Sequence, residues 1–296
     1  AQDGTLAFTS VTRSSRLVAM PFDATTGAAG APRPLLGGSQ EIFSFDPSPD
    51  RNSIAFTSSG GLQEDVFVAN ADGTRIRQLT NDAAKDRGVT WAPDGKTLYF
   101  YSNRDGAYHI WSIHADGSGL AAVTNERDLK RVDAKAFSAP HASPDGRTLV
   151  AAMSGGVVLI HLARPLGQRV EKLAGTVGGA KWSPDGTRLI GTPAAGRRDG
   201  VAVLTLATGA VVKILDSGWW PQWLPDSRHV VFFDRASAGI IDVTTRQVTK
   251  APLVPPEGAE TAGGTIAPRV SRDGTTVYLR QTLEQGDIWM VRAARP

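Results

Sequence analysis

The residues that could do chemistry in this sequence are a set of charges, a tryptophan pair and five scattered histidines. Glu41, Arg87, Lys135, Lys181, Gln222 and Arg269 form one set, and four of the six are basic. Such a set reads as a seat for a small anionic ligand or for an acidic segment of a partner. The competing reading is that these side chains pair with neighbouring acids and backbone carbonyls. Trp219 and Trp220 are adjacent in the run Asp216 to Gln222. One exposed indole there would anchor a protein or peptide, because an aromatic side chain gives a large contact area at low entropy cost. The alternative is that both cap a hydrophobic seam.

Other chemistries find little support. His109 and His114 are five apart, which puts them on opposite faces of a strand, and His141 stands alone, whereas zinc needs three or four convergent ligands. No metal or cofactor is expected. Gly95-Lys96-Thr97 echoes the end of a phosphate loop, but Thr90 stands where its first glycine is required. There is no Gly-x-Ser-x-Gly elbow and no cysteine nucleophile. Loop carboxylates such as Asp86, Asp133 and Asp234 leave acid or base catalysis open.

These residues need a scaffold, and the sequence shows it as a repeat. Trp182-Ser183-Pro184-Asp185-Gly186 recurs as Trp91-Ala92-Pro93-Asp94-Gly95, Ala142-Ser143-Pro144-Asp145-Gly146 and Trp223-Leu224-Pro225-Asp226-Ser227. Weaker copies bring the aspartates to seven, at Asp3, Asp50, Asp94, Asp145, Asp185, Asp226 and Asp273, with a mean spacing of 45 residues. That is the period of a four-stranded propeller blade. Proline presets φ, aspartate hydrogen-bonds the backbone just beyond itself and glycine accepts positive φ, so each copy is a hairpin turn.

Apolar strands such as 98–101, 149–152 and 230–233 follow the turns. Continuous apolarity suits a sheet covered on both faces. Third strands follow at 65–69, 109–113, 201–206 and 287–291, and shorter, more polar outer strands at 76–80, 121–124, 171–173 and 211–215. No window of 11 or more residues keeps a helical stripe. The expected fold is all-β, a propeller of four-stranded antiparallel blades forming a single domain over 1–296. The strand tally is 26, which favours seven blades with two strands missing and leaves six as the alternative. The long connections 124–136 and 250–265 are the variable ones, and the charged run 126–135 reads as a solvated loop.

Chain-wide features narrow the function classes. The 296 residues are 41% hydrophobic with a formal charge of +3, and 24 of the 32 basic residues are arginine. The basic residues are not concentrated on one element, so nucleic acid is not an expected partner. No apolar run approaches membrane-spanning length, so no membrane insertion is expected. The chain opens on Ala1-Gln2-Asp3 without an initiator methionine or leader, so the expectation is that any signal has been removed or was not included.

The Ser-Pro-Asp-Gly turns, the Asp287-Ile288-Trp289 type of third strand and the Ala115-Asp116-Gly117 type of second turn resemble the PD40, or TolB-like, β-propeller repeats. No tryptophan is followed by aspartate, so the WD40 signature is not met. The stretch 17–36 more loosely resembles the C-terminal propeller regions of bacterial signalling proteins. The resemblance implies a non-enzymatic scaffold or sensor module, periplasmic or otherwise extracytoplasmic, binding a protein, a peptide or a small anion at its loop face and channel mouth. A propeller lyase or hydrolase acting on acidic polysaccharide is the alternative. Such lyases hold a metal with several histidines, whereas only His141 is well placed here.

Overall fold

The computed structural model describes residues 5–38, 41–59, 63–193, 200–234, 237–251, 253, 255–259 and 267–292, with side chains outside 5–13, 38, 59 and 284–292. Asp3 lies outside these residues, as does part of the 250–265 connection, and the side chain of Trp289 is not among those described. The chain opens with β1 (Thr5–Pro21) and β2 (Arg33–Gly38). Blade 1 follows as β3 (Glu41–Pro47), β4 (Ser53–Ser59), β5 (Glu64–Asn70) and β6 (Arg77–Gln78). Blade 2 is β7 (Asp86–Trp91), β8 (Thr97–Asp105), β9 (Ala107–His114) and β10 (Ala121–Ala122). Blade 3 is β11 (Phe137–Ala142), β12 (Thr148–Met153), β13 (Gly156–His161) and β14 (Val170–Lys172).

Blade 4 is β15 (Gly178–Trp182), β16 (Arg188–Thr192), β17 (Val201–Thr205) and β18 (Val211–Leu215). Blade 5 is β19 (Trp219–Trp223), β20 (His229–Phe233), β21 (Ala238–Asp242) and β22 (Val248–Ala251). Blade 6 takes β23 (Arg269–Val270) and β24 (Thr276–Arg292) from the far end and closes on β1 and β2, in the order β2-β1-β24-β23. All six sheets are four-stranded and antiparallel between neighbours.

Six blades replace the seven that the strand tally favours. β1 and β24 are 17 residues each and pair with one another along their whole length, from Thr5↔Arg292 to Pro21↔Thr276. The polar stretches 13–16 and 281–286 interrupt their apolar pattern, so each reads in sequence as two strands. Counted once each, they leave 24 strands, four for every blade.

The core is six seams rather than one centre. Along β12, Leu149 and Ala151 pack toward blade 2 while Val150 packs toward blade 4. On β1, Leu17 and Ala19 face blade 1, and Val18 and Met20 face blade 5. Successive side chains of a strand point to opposite faces, so a strand between two neighbours must be apolar at every position. Each fully buried Leu, Ile, Val or Phe contributes about 1.5–3 kcal/mol of burial free energy. Trp91 is buried in the seam between blades 1 and 2, and Trp111, Trp182 and Trp223 pack half-buried against theirs.

The 126–135 run is not a simple loop. Residues Glu126–Val132 form a seven-residue helix, α1, with Asn125 as N-cap in a capping box with Asp128 and Asp133 as a left-handed C-cap. The buried Asp128 carboxylate also accepts the backbone N–H groups of Gly167 and Arg169, tying the helix to blade 3. Seven residues fall below the 11-residue window that a helical stripe needs to show itself. No helix among the described residues is long and apolar enough to cross a membrane.

Candidate functional site: the central channel

Each described turn aspartate accepts the backbone N–H two residues on, at 2.8–3.2 Å for Asp50, Asp94, Asp145, Asp185, Asp226 and Asp273. The residue after the aspartate is left-handed in all six, at Arg51, Gly95, Gly146, Gly186, Ser227 and Gly274. In four blades a serine two residues earlier donates to the same carboxylate, as Ser143 does to Asp145 at 2.5 Å. These turns fix the face of the ring where inner strands end.

Counting four residues back from each turn aspartate reaches Asp46, Thr90, His141, Lys181, Gln222 and Arg269, one from each inner strand. They meet around the channel. Two cavities, of about 490 and 240 Å³, share His141, Lys181 and Arg269 in their walls, so this ring is a waist between an upper and a lower chamber. Val89, Ala139, Pro140, Trp219, Trp220 and Pro221 supply apolar wall to the upper chamber. Trp182, Trp223 and Arg272 line the lower one.

The inner strands aim these residues with a bulge. Pairing with the second strand shifts between Arg87 and Thr90, Ser138 and His141, Gly178 and Lys181, and Trp219 and Gln222. A left-handed residue sits inside each shift, at Gly88, Ala139, Gly179 and Trp220, with φ of 63°, 47°, 62° and 53°. Bulges of this kind re-aim side chains. Tryptophan at such a φ is strained where glycine would not be. Trp220 holds it while packing against the seam of blades 5 and 6.

Charge is unevenly satisfied at the waist. Asp46 Oδ2 accepts from the Thr90 hydroxyl at 3.0 Å and the Trp91 N–H at 2.8 Å, and its Oδ1 lies 3.5 Å from Arg269 Nε. Gln222 donates to the Pro268 carbonyl and accepts from the Val270 N–H at 3.1 Å. Lys181 Nζ and Arg269 Nε are buried without a hydrogen-bond partner among the described residues. Burial, with Arg269 adding to it against the pull of Asp46, holds Lys181 well below the usual lysine range. Burial and then the charges of Lys181, Arg269 and Arg272 hold His141 well below the ordinary histidine value, so it is neutral.

The residues singled out from sequence separate into groups. Lys181, Trp219, Trp220 and Arg269 line the upper chamber and Gln222 the lower. Glu41 is exposed at the start of β3, with Arg280 Nη1 3.4 Å away, and Arg87 is held bidentately by Glu64; neither lines the upper or the lower chamber. Lys135 is exposed in the connection between α1 and β11 and lines neither chamber. Asp46, Thr90 and His141 complete the ring, and their constant offset from the turn aspartates is the signal that finds them. Asp86 is taken by Arg104 at 2.7–2.8 Å, and His109 faces Asp105 at 3.8 Å, both outside the ring.

This architecture has relatives. A family model described as the TolB beta propeller domain, PD40, matches residues 38–164. The chain carries a TolB-like β-propeller. An uncharacterised protein of Agrobacterium fabrum is 28% identical to the TolB-like chain over 155 residues, 47% of this chain and 50% of that protein. The Tol-Pal system protein TolB of Francisella tularensis is 21% identical over 86% of this chain and 64% of its own length. The TolB-like chain thus spans about half the length of the first of these relatives and under two thirds of the second. Among solved structures, one described as a provisional TolB of Agrobacterium tumefaciens superposes with a TM-score of 0.68 at 16% identity, over 93% of this chain and 99% of that one, which supports the fold.

Proposed function

We propose that this TolB-like propeller is a non-enzymatic scaffold that captures a segment of a partner protein at the channel mouth, on the face where the inner strands begin. The observation that carries the reading is the 490 Å³ upper chamber, walled by Trp219 and Trp220 and floored by Lys181 and Arg269, whose Nζ and Nε atoms have no hydrogen-bond partner among the described residues. A rigid ring holds these groups at fixed positions, so little ordering cost is paid on binding. Glu64 and Asp86 neutralise Arg87 and Arg104, whereas at the waist Lys181 Nζ has no hydrogen-bond partner among the described residues and Arg269 faces Asp46 at 3.5 Å. Likeness to Tol-Pal system TolB proteins supports a bacterial, extracytoplasmic setting, and a sensor role within a larger protein fits the same face.

The test is capture of envelope proteins on the immobilised propeller, with partners identified by mass spectrometry. Trp219→Ala with Trp220→Ala should abolish capture of the specific partner while the propeller stays folded by circular dichroism. Undiminished capture would remove the mouth as the site. Release of unsaturated products from uronate oligosaccharides, with stoichiometric metal in the purified protein, would overturn the scaffold reading in favour of a lyase.

A further inference from the structure

The geometry points to a carboxylate seat at the waist: an organic acid, or an acidic side chain or chain terminus of a partner, places its carboxylate between Lys181 Nζ and Arg269 and its apolar body in the upper chamber. This deepens the proposed reading of the mouth as the binding face and rests on it for the route of entry.

Three observations converge. First, basic side chains outnumber acidic ones at the waist: Lys181, Arg269 and the neighbouring Arg272 stand against one carboxylate, Asp46, in the chamber wall. Asp46 is already committed through Oδ2 to Thr90 and Trp91, leaving only Oδ1 toward Arg269. Second, Lys181 Nζ and Arg269 Nε are buried with no hydrogen-bond partner among the described residues, yet both residues line open cavity. A buried cation without partners is costly, and charge-assisted hydrogen bonds to a carboxylate remove that cost. Third, the chamber above is mainly apolar, with two indoles, so a bare inorganic anion would leave it unfilled while an acid with an aromatic or aliphatic body would fill it.

The groups facing Lys181 are His141 from blade 3, Arg269 and Arg272 from blade 6 and Asp46 from blade 1. His141 is neutral and donates or accepts without adding charge. Lys181 is therefore the group whose protonation a bound carboxylate stabilises, and affinity falls as pH rises and the lysine loses its proton.

The probes are 3-phenylpropanoate and its neutral isostere 3-phenylpropanamide, with acetyl-Phe-Asp-amide and acetyl-Phe-Asn-amide for a partner's side chain, all measured by calorimetry on the intact chain. The acids should bind at least tenfold more tightly than the matching amides, and more weakly at pH 9 than at pH 7. Lys181→Met should remove the preference for the acid and its pH dependence, and Lys181→Arg should restore the preference without that dependence. If Lys181→Met does not fold, the acid–amide difference and its pH dependence in the natural protein decide alone. Equal binding of acid and amide, or of acid by the natural protein and a folded Lys181→Met, overturns the seat. Preference for the free acid but not the peptide assigns the seat to a small metabolite, and preference for the peptide alone assigns it to the partner. Loss of the seat with partner capture still dependent on Trp219 and Trp220 would leave the mouth standing as the binding face, so the two readings fail separately.

Discussion

The turn face and the channel waist are built from the same repeat, four residues apart, and treat charge in opposite ways. At the turns every described aspartate accepts from backbone N–H within its own hairpin, joined by a hydroxyl donor in five of the six and by the His229 ring at Asp226. At the waist the equivalent positions carry six different residues, and two of their cationic atoms lack a hydrogen-bond partner among the described residues. Repetition at the turn closes hairpins, which any blade needs. Divergence at the waist means that closing hairpins places no demand there, so chemistry is free to vary. A propeller's ligand is thus sought where the repeat is kept in register and broken in residue type.

The sharpest way to break this contrast is to remove the one acid of the waist. Asp46→Ala withdraws the counter-charge from Arg269 and an acceptor from Thr90 and Trp91, and should cost about 3 kcal/mol in urea denaturation. Lys181→Met should move the other way and raise stability by about 2 kcal/mol, because an unpaired buried charge is replaced by an apolar chain of similar size. Stabilisation on removing a residue would mark the waist as kept for something other than folding. At the turns the expected effect is smaller and of ordinary sign: Asp145→Ala loses the Ser143 and Arg147 donors and should cost about 1 kcal/mol.

Titration separates the two regions further. The Ser143 hydroxyl, then the Arg147 N–H, hold the Asp145 carboxyl below its usual value, while hydrogen bonds from Ser183 and Thr187 outweigh burial at Asp185 and hold it at about 2. Carboxylates depressed in the folded state stabilise it above their unfolded value, and that stability is lost as pH falls through the folded one. Lys181 acts at the other end of the scale. Its folded value lies below 10.5, so between the two values the unfolded chain binds more protons and stability rises with pH. Thermal melts from pH 2 to pH 10 should show an acid loss in both the natural protein and Lys181→Met, and an alkaline gain only in the former.

Much of the fold is legible because its signals are local. The turn motif and the doubly apolar strands each lie within ten residues and recur about every 45, and together they suffice for an antiparallel propeller. The blade number escapes a local reading: whether residues 13–16 bend the chain or continue β1 depends on β24, at the far end of the sequence. α1 is hidden by its brevity, and its stability rests on Asp128 reaching Gly167 and Arg169. At the site, Lys181, Gln222 and Arg269 are read from the starts of the inner strands, whereas Asp46, Thr90 and His141 need the further step of counting four residues back from each turn aspartate. Arg87 and Lys135 line neither chamber, Arg87 because Glu64 holds it and Lys135 because it stands in the short connection between α1 and β11, neither of which a local reading of the sequence shows.

The shared sixth blade bears on folding time. Arg16 Nε donates to Gln281 Oε1 at 2.7 Å across 265 residues of chain, and the whole β1–β24 pairing is of this long-range kind. Such contacts form late, since the loop entropy they close must be met before they return anything. During synthesis, blades 1 to 5 can each form hairpins as they emerge, but their two terminal seams stay open until Thr276–Arg292 arrives. Ring closure is then a single final step, and the apolar faces of β1 and blade 5 are the surfaces most exposed to aggregation while the chain waits for it.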